Sequence, residues 1–318
     1  MTENQADIIN GVFFGQAIGD ALGLGTEFLN NAEVKSFYPN GLSIYSEIIQ
    51  DKHRSRWKIG DWTDDTDQFL CIIDAILESG SINEISFAKE LFKWFKGVPM
   101  GIGYTTLKVL NMPEYRSYPH KGAEYVWKFS KCNSASNGAI MRTSALGIWE
   151  FWDNEKVIDN TERVCKATHF DPRCVGSCVI ITSIISAILR ENRFLNFDEL
   201  VVIGDKYDNR IKEYIYLAQS KDISVLKLDE INSIGYTLKA LSAGLWAYFN
   251  ASSFEDGLLK VVNEGGDADT NAAVACSLLG TKYGFKSIPK IYIDQLLNKK
   301  YLFEKVIDFK VEILKNYH

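Results

Sequence analysis

Gly60-Asp61-Trp62-Thr63-Asp64-Asp65-Thr66-Asp67 runs directly into the apolar stretch Phe69-Leu70-Cys71-Ile72-Ile73. Four carboxylates and two hydroxyls therefore stand within seven residues, 61–67, at the entrance to an apolar run. Thr63 and Asp64 are good capping residue types, and Phe69, Leu70, Ile73, Ile76 and Leu77 recur at helical spacing over 66–78. A helix start attracts negative charge, but adjacent carboxylates repel one another unless protons or a cation intervene. Hard oxygen donors suit Mg²⁺, Mn²⁺ or Ca²⁺. Taken alone, the stretch reads equally well as a solvated capping cluster.

A second stretch decides between the two readings. About two hundred residues later, Gly265-Gly266-Asp267-Ala268-Asp269-Thr270-Asn271 leads into the small-residue run Ala272-Ala273-Val274-Ala275-Cys276. An EF-hand loop fails here: Ala272 stands where that loop needs Gly, and Leu278 where it needs Glu. Two Asp-plus-Thr clusters, each opening a helix, read together as two halves of one oxygen-ligand metal site. Asp61 and Asp67 add carboxylates beside the first half, as ligands or as hydrogen-bond partners of ligands.

Composition narrows the classes. The chain has 318 residues, 46% hydrophobic and 24% charged, as in an ordinary globule, and length permits one large domain spanning 1–318. A formal charge of −6 argues against broad nucleic-acid binding, which needs a basic face. Residues 1–7 lack a basic leader, so a cytoplasmic protein is expected. The longest apolar run, 174–189, is broken by Gly176, Ser177, Thr182 and Ser183 and predicts a core helix, not a membrane span. Six scattered cysteines without a Cys-x-x-Cys pair read as reduced core thiols.

Along the chain, residues 5–22 predict a helix with Gly11, Gly15 and Gly19 at four-residue spacing and Gly23 just beyond. This bare stripe lets a second backbone approach closely. Residues 30–60 carry a basic knot, Lys52, His53, Arg54, Arg56 and Lys58, read as a solvated loop or as a rim attracting a pyrophosphate. A helix at 84–96 precedes the turn-rich loop 97–103, where Gly101 and Gly103 expose backbone N–H groups able to cradle a phosphate. A second loop, 133–138, is expected to feed a helix beginning Ala139-Ile140-Met141-Arg142, a natural anion site, with Arg142 paired to a buried carboxylate. Helices at 155–167, 172–189, 233–249, 254–263 and from the Asp267 cluster to about 283 follow, then one or two amphipathic helices. Residues 196–231 read as charged and irregular. Few period-two runs appear anywhere, so the fold class is all-α.

The ordered motifs resemble the ADP-ribosylglycohydrolases. They are Gly19-Asp20-Ala21-Leu22-Gly23 with Glu27, Thr63-Asp64-Asp65-Thr66, Ser136-Asn137-Gly138 through Arg142, Thr168-His169, and Gly266-Asp267-Ala268-Asp269-Thr270, spread over about 10–289. The resemblance implies a compact orthogonal multi-helix bundle and a hydrolase that releases ADP-ribose at its anomeric carbon from a modified protein side chain or small molecule. It implies two Mg²⁺ or Mn²⁺ ions held by Thr63, Asp64, Asp65, Asp267, Asp269 and Thr270, with Glu27, Asp65 or Asp267 in acid–base roles. It further implies that Ser136, Asn137 and Gly138 bind the substrate phosphate and that His169 lines the ADP-ribose pocket; Asp171, close by in the chain, is expected to orient the His169 ring. The pattern around Asp267 leans towards arginine-linked ADP-ribose, and a monomer is expected. Serine-linked or small-molecule conjugates, and a silent binding member of the family, stay open. An isoprenoid synthase is disfavoured, because Asp67 falls one residue early for Asp-Asp-x-x-Asp.

Overall fold

The computed structural model of the protein describes residues 1–317. Fifteen α-helices make it up: α1 (Glu3–Gly23), α2 (Asn31–Phe37), α3 (Asp64–Ser79), α4 (Glu84–Lys96), α5 (Tyr104–Leu110), α6 (Pro119–Phe129), α7 (Asn154–Lys166), α8 (Pro172–Glu191), α9 (Phe197–Gly204), α10 (Ile211–Leu217), α11 (Thr237–Asn250), α12 (Phe254–Val262), α13 (Ala268–Tyr283), α14 (Lys290–Gln295) and α15 (Lys299–Asn316). Among the described residues there is no strand, only an antiparallel bridge between Ser136 and Tyr236. Many helices begin where a short polar side chain takes up a free N–H: Thr2, Asn30, Thr63, Asn83, Asp153, Asp171, Asn196 and Ser253.

The pairing of α1 with α13 sets the frame. A Cβ built on Gly11, Gly15, Gly19 or Gly23 would lie 2.2, 2.1, 2.1 or 2.4 Å from the carbonyl oxygens of Gly280, Cys276, Ala272 and Ala268. Both series step by four residues in opposite directions, so the bare stripe of α1 seats the whole length of α13. Phe13 and Phe14 on the other side of α1 pack against Phe69 of α3 and Phe303 of α15, with ring centroids 4.9 and 4.4 Å apart. The C-terminal helices therefore serve packing, and buried apolar side chains form one cluster from Ile8 to Ile313.

α8 is long and apolar enough to cross a membrane, but 94% of its most apolar window is buried inside the protein, so its apolar surface is already covered. Five of the six cysteines are buried; Cys132 is exposed, against the core reading.

Two expectations are corrected. Residues 196–231 are not irregular, since α9 and α10 fall within them. Residues 139–142 form no α-helix; the chain turns there and continues as a 3₁₀ segment, Thr143–Gly147. The Met141 carbonyl, which an α-helix would bond to its own next turn, instead accepts from the buried Gln16 amide of α1 at 2.7 Å.

Candidate active site

α1 positions both acidic clusters. Buried Asp20 accepts the Thr63 N–H at 3.0 Å, the Thr66 N–H at 2.9 Å and the Thr66 hydroxyl at 2.6 Å. It thereby takes up the free N–H groups of the α3 start and fixes where Asp64 and Asp65 point. The second cluster rides on α13, and its approach is set by Gly265 and Gly266 at φ 74° and 71°. A Cβ at Gly266 would lie 2.1 Å from the Leu228 carbonyl. Gly266 also exchanges backbone hydrogen bonds with the 28–29 segment, Phe28 N–H to Gly266 O at 2.6 Å and Gly266 N–H to Leu29 O at 2.8 Å. Glu27 is thus carried beside Asp267.

Carboxylate oxygens of Glu27, Asp267 and Asp269 lie within 4.8 Å of one another. Thr63, Asp64, Asp65 and Thr270 line the same cavity, of about 690 Å³. Burial, followed by the repulsion of neighbouring carboxylates, raises Asp64 to about 7 and Asp267 to about 6, and lifts Asp65 and Asp269 well above the ordinary range. Asp65 Oδ1 is buried without a hydrogen-bond partner. Mutually repelling acids with an orphaned oxygen are the donor set a hard divalent cation takes, so the residues present fit a metal site. Asp61 and Asp67 lie outside the cavity lining: Asp61 accepts from Asn298, and Asp67 from the indoles of Trp62 and Trp94.

Ser136, Asn137, Gly138 and His169 form another wall. The 135–137 backbone is held by Thr237 N–H to Ala135 O and Asn137 N–H to Gly235 O, each 2.9 Å, rather than by a helix start. Asn137 also reaches the acidic cluster, its amide donating to Asp267 Oδ2 at 2.7 Å. His169 Nε2 lies 3.0 Å from Ser136 Oγ, and Gly138 leaves room for the ring: a Cβ there would sit 3.0 Å from its Cε1. Burial, and then the Arg142 charge, push His169 well below its usual value, so it is neutral. Asp171 does not orient this ring; it caps α8 and binds Arg173 and the Trp127 indole. Nor does Arg142 pair with a carboxylate: its partners are Gln68 and Thr168.

Gly101 and Gly103 both line the cavity. A Cβ at Gly101 would meet Asp64 Oδ1 at 2.9 Å. The basic knot divides. Lys52 and Lys58 are solvated, whereas Arg54 is buried and donates to the carbonyls of Gly25 and Glu27. His53, Arg56 and Trp57 line the cavity, with Arg56 over the Trp57 ring at 4.4 Å. Arg56 can only donate, so its 2.6 Å contact makes His53 Nδ1 an acceptor. His53 Nε2–H then donates to Glu27 Oε2 at 2.6 Å. Sequence reasoning gave His53 and Arg56 only as one option for a charged knot, and Trp57, Ile234 and Gly235, also in the lining, were not singled out.

A model of the ADP-ribosylglycohydrolase family matches residues 1–316. The chain belongs to the ADP-ribosylglycohydrolase family. As an ADP-ribosylglycohydrolase it is a hydrolase of glycosidic ADP-ribose bonds. Similar proteins include the ADP-ribosylarginine hydrolase Tri1 of Serratia proteamaculans, 27% identical over 92% of this chain and 76% of that one. The ADP-ribosyl-[dinitrogen reductase] glycohydrolase of Rhodospirillum rubrum is 25% identical over 90% of this chain and 89% of its own. Among solved structures, an "ADP-ribosylglycohydrolase-related protein complex" superposes with a TM-score of 0.76 at 23% identity, covering 98% of this chain and all (100%) of that one, which establishes the shared fold.

Proposed function

We propose that this ADP-ribosylglycohydrolase releases ADP-ribose from arginine side chains of modified proteins and depends on a pair of Mg²⁺ or Mn²⁺ ions. The observation that carries the reading is one cavity with two chemically opposite walls. Carboxylates of Glu27, Asp64, Asp65, Asp267 and Asp269 stand on one, and the neutral donors of residues 136–138 and His169 on the other. Its volume, about 690 Å³, suits a ligand of nucleotide size. Thr63, Asp64, Asp65, Asp267, Asp269 and Thr270 would hold the ions. When bound, these supply a Lewis-acid grip on sugar hydroxyls and lower the pKa of water.

The chain's own residues do the rest. The donor wall takes the phosphates, leaving the distal ribose over the carboxylates, whose charge stabilises an oxocarbenium-like transition state. Glu27 is fixed three times, at its carbonyl by Arg54, at its carboxylate by His53 and through Phe28 to Gly266, and is the group placed to accept a proton from the attacking water. Water bonds to the anomeric carbon as the C–N bond breaks, the bonding pair leaves with the guanidine nitrogen, and the proton Glu27 takes from the water is the one the guanidine gains. An acidic floor favours a guanidinium leaving group, and the name of the Serratia relative, an ADP-ribosylarginine hydrolase, points the same way.

The test incubates the protein separately with arginine- and serine-ADP-ribosylated peptides, with Mg²⁺ or Mn²⁺ and with chelator, and follows free ADP-ribose. Metal-dependent release from arginine is expected. Release from serine alone overturns the linkage, and full activity in chelator overturns the metal site.

A further inference from the structure

Arg142 is fully buried, and neither of its hydrogen-bond partners carries a charge. One arm of its guanidinium donates to Gln68 Oε1 at 2.7 Å, and the other to Thr168 Oγ1 at 2.5 Å. A guanidinium has donors only, so it dictates the direction of every hydrogen bond beyond it.

Along the first arm, Gln68 must turn its oxygen to Arg142. Its Nε2 therefore donates to Asp64 Oδ2, at 2.9 Å. One oxygen of Asp64 is tied, and Oδ1 is the one beside Gly101 in the cavity. Along the second arm, Thr168 accepts from Arg142 and gives its own hydrogen to His169 Nδ1, 2.7 Å away. The far end agrees: the Ser136 hydroxyl donates to Thr105 at 2.8 Å, so His169 Nε2 must carry the hydrogen that reaches Ser136. Both ends fix the same tautomer, with Nδ1 bare and Nε2–H towards the cavity.

We infer that Arg142 is a positioning residue for both walls of the cavity. Through Thr168 it sets His169 as a hydrogen-bond donor to a ligand oxygen, and through Gln68 it ties Asp64 so that Oδ1 is the free cation-binding oxygen. The ligand half of this inference rests on the ADP-ribosyl reading of the cavity; the ring and cation halves do not. Arg142 touches neither ligand, and its effect on each wall runs through a different neutral side chain. The two arms are therefore separable by experiment, which a merely structural arginine would not allow.

The test needs no change at Arg142, whose removal from the interior threatens folding. In the wild-type protein, ¹⁵N spectra of the imidazoles at pH 7 are expected to show His169 protonated at Nε2 alone. Thr168→Val keeps the shape but cuts one arm; it is expected to weaken ADP-ribose binding roughly tenfold by calorimetry with Mn²⁺ binding unchanged, and Thr168→Ser to restore it. Gln68→Met cuts the other arm and is expected to weaken Mn²⁺ binding, read by electron spin resonance, about 10- to 100-fold. A ring protonated at Nδ1 overturns the assignment, as does wild-type binding of both ligands by both variants. A wild-type protein that neither binds nor releases ADP-ribose sinks the functional reading instead, while the tautomer and the Mn²⁺ arm still decide the relay.

Discussion

Two histidines of the cavity are served by two arginines in opposite surroundings. Arg142 and His169 are buried, with Thr168 between them; Arg56 is exposed and donates directly to His53, whose side chain is 27% exposed. Each chain of hydrogen bonds ends in an Nε2–H pointing at a functional oxygen, Ser136 Oγ in one case and Glu27 Oε2 in the other. The polarity is the same, but the dielectric is not. Behind His169 the bonds are desolvated, strong and indifferent to salt; around His53 they compete with water and are screened. The buried wall suits the invariant part of a substrate, while the rim, with Phe28, Met100 and Tyr104 exposed beside it, suits the part that varies.

The largest effect is expected where both walls depend on the same floor. Asp267 accepts from Asn137 and stands in the acidic cluster, so Asp267→Asn removes the group the two share. Turnover should fall by roughly 10³-fold or more, and Asp64→Asn combined with it should add little, since residues acting as one unit are not additive. Steady-state release of ADP-ribose measures both. Near-normal turnover in Asp267→Asn would reduce the second cluster to a helix cap.

The frame beneath both regions breaks next. Gly15→Ala places a Cβ 2.1 Å from the Cys276 carbonyl, a backbone atom that cannot swing away. The α1–α13 pair must part, at a cost of about 1–3 kcal/mol, which denaturant titration would register. An unchanged midpoint would mean that the close contact is not held in solution.

Legibility in the sequence followed the range of the interaction. The glycine stripe of α1 could be read because its period is helical, and both Asp-Thr clusters because each opens its own helix. That they form one site was read from their matching composition, but what brings them together was not, since it depends on Asp20 reaching Thr63 and on the stripe seating α13 across some 260 residues. Glu27 had no local signature and entered only through the family resemblance. The expected helix at 139–142 failed for a related reason: Gln16 takes the Met141 carbonyl, and the bridge to Tyr236 holds Ser136 extended. His53 showed only as part of a charged knot, because its partner Glu27 lies 26 residues away.

A milder change sharpens the contrast at the rim. Arg56→Ala frees His53 to turn, loosening Glu27 while leaving its backbone anchored by Arg54. Turnover should fall only three- to tenfold, and the deficit should shrink at about 1 M salt, which shortens the screening length to about 3 Å. The Thr168→Val deficit should not respond to salt. Equal salt responses in the two variants would erase the distinction between wall and rim.

The smallest effect concerns protons rather than substrate. His169 is held neutral by burial and by Arg142, the one charged group acting on it, so its folded-state pKa lies well below the usual 6.5. In the unfolded chain the same ring binds a proton once the pH drops below about 6.5. The unfolded state then binds more protons than the folded one, so stability is fully present above that pH and is lost as the pH falls. By pH 5.5 the loss should be on the order of 1 kcal/mol. Denaturant titrations of the wild type and His169→Asn at pH 7.5 and 5.5 isolate it, because the other titrating groups are common to both proteins. The wild type should lose about 1 kcal/mol more than the variant between the two pH values. Parallel losses would mean that the ring takes up a proton inside the folded protein, and the donor wall would then carry a positive charge rather than the fixed neutral polarity set from Arg142.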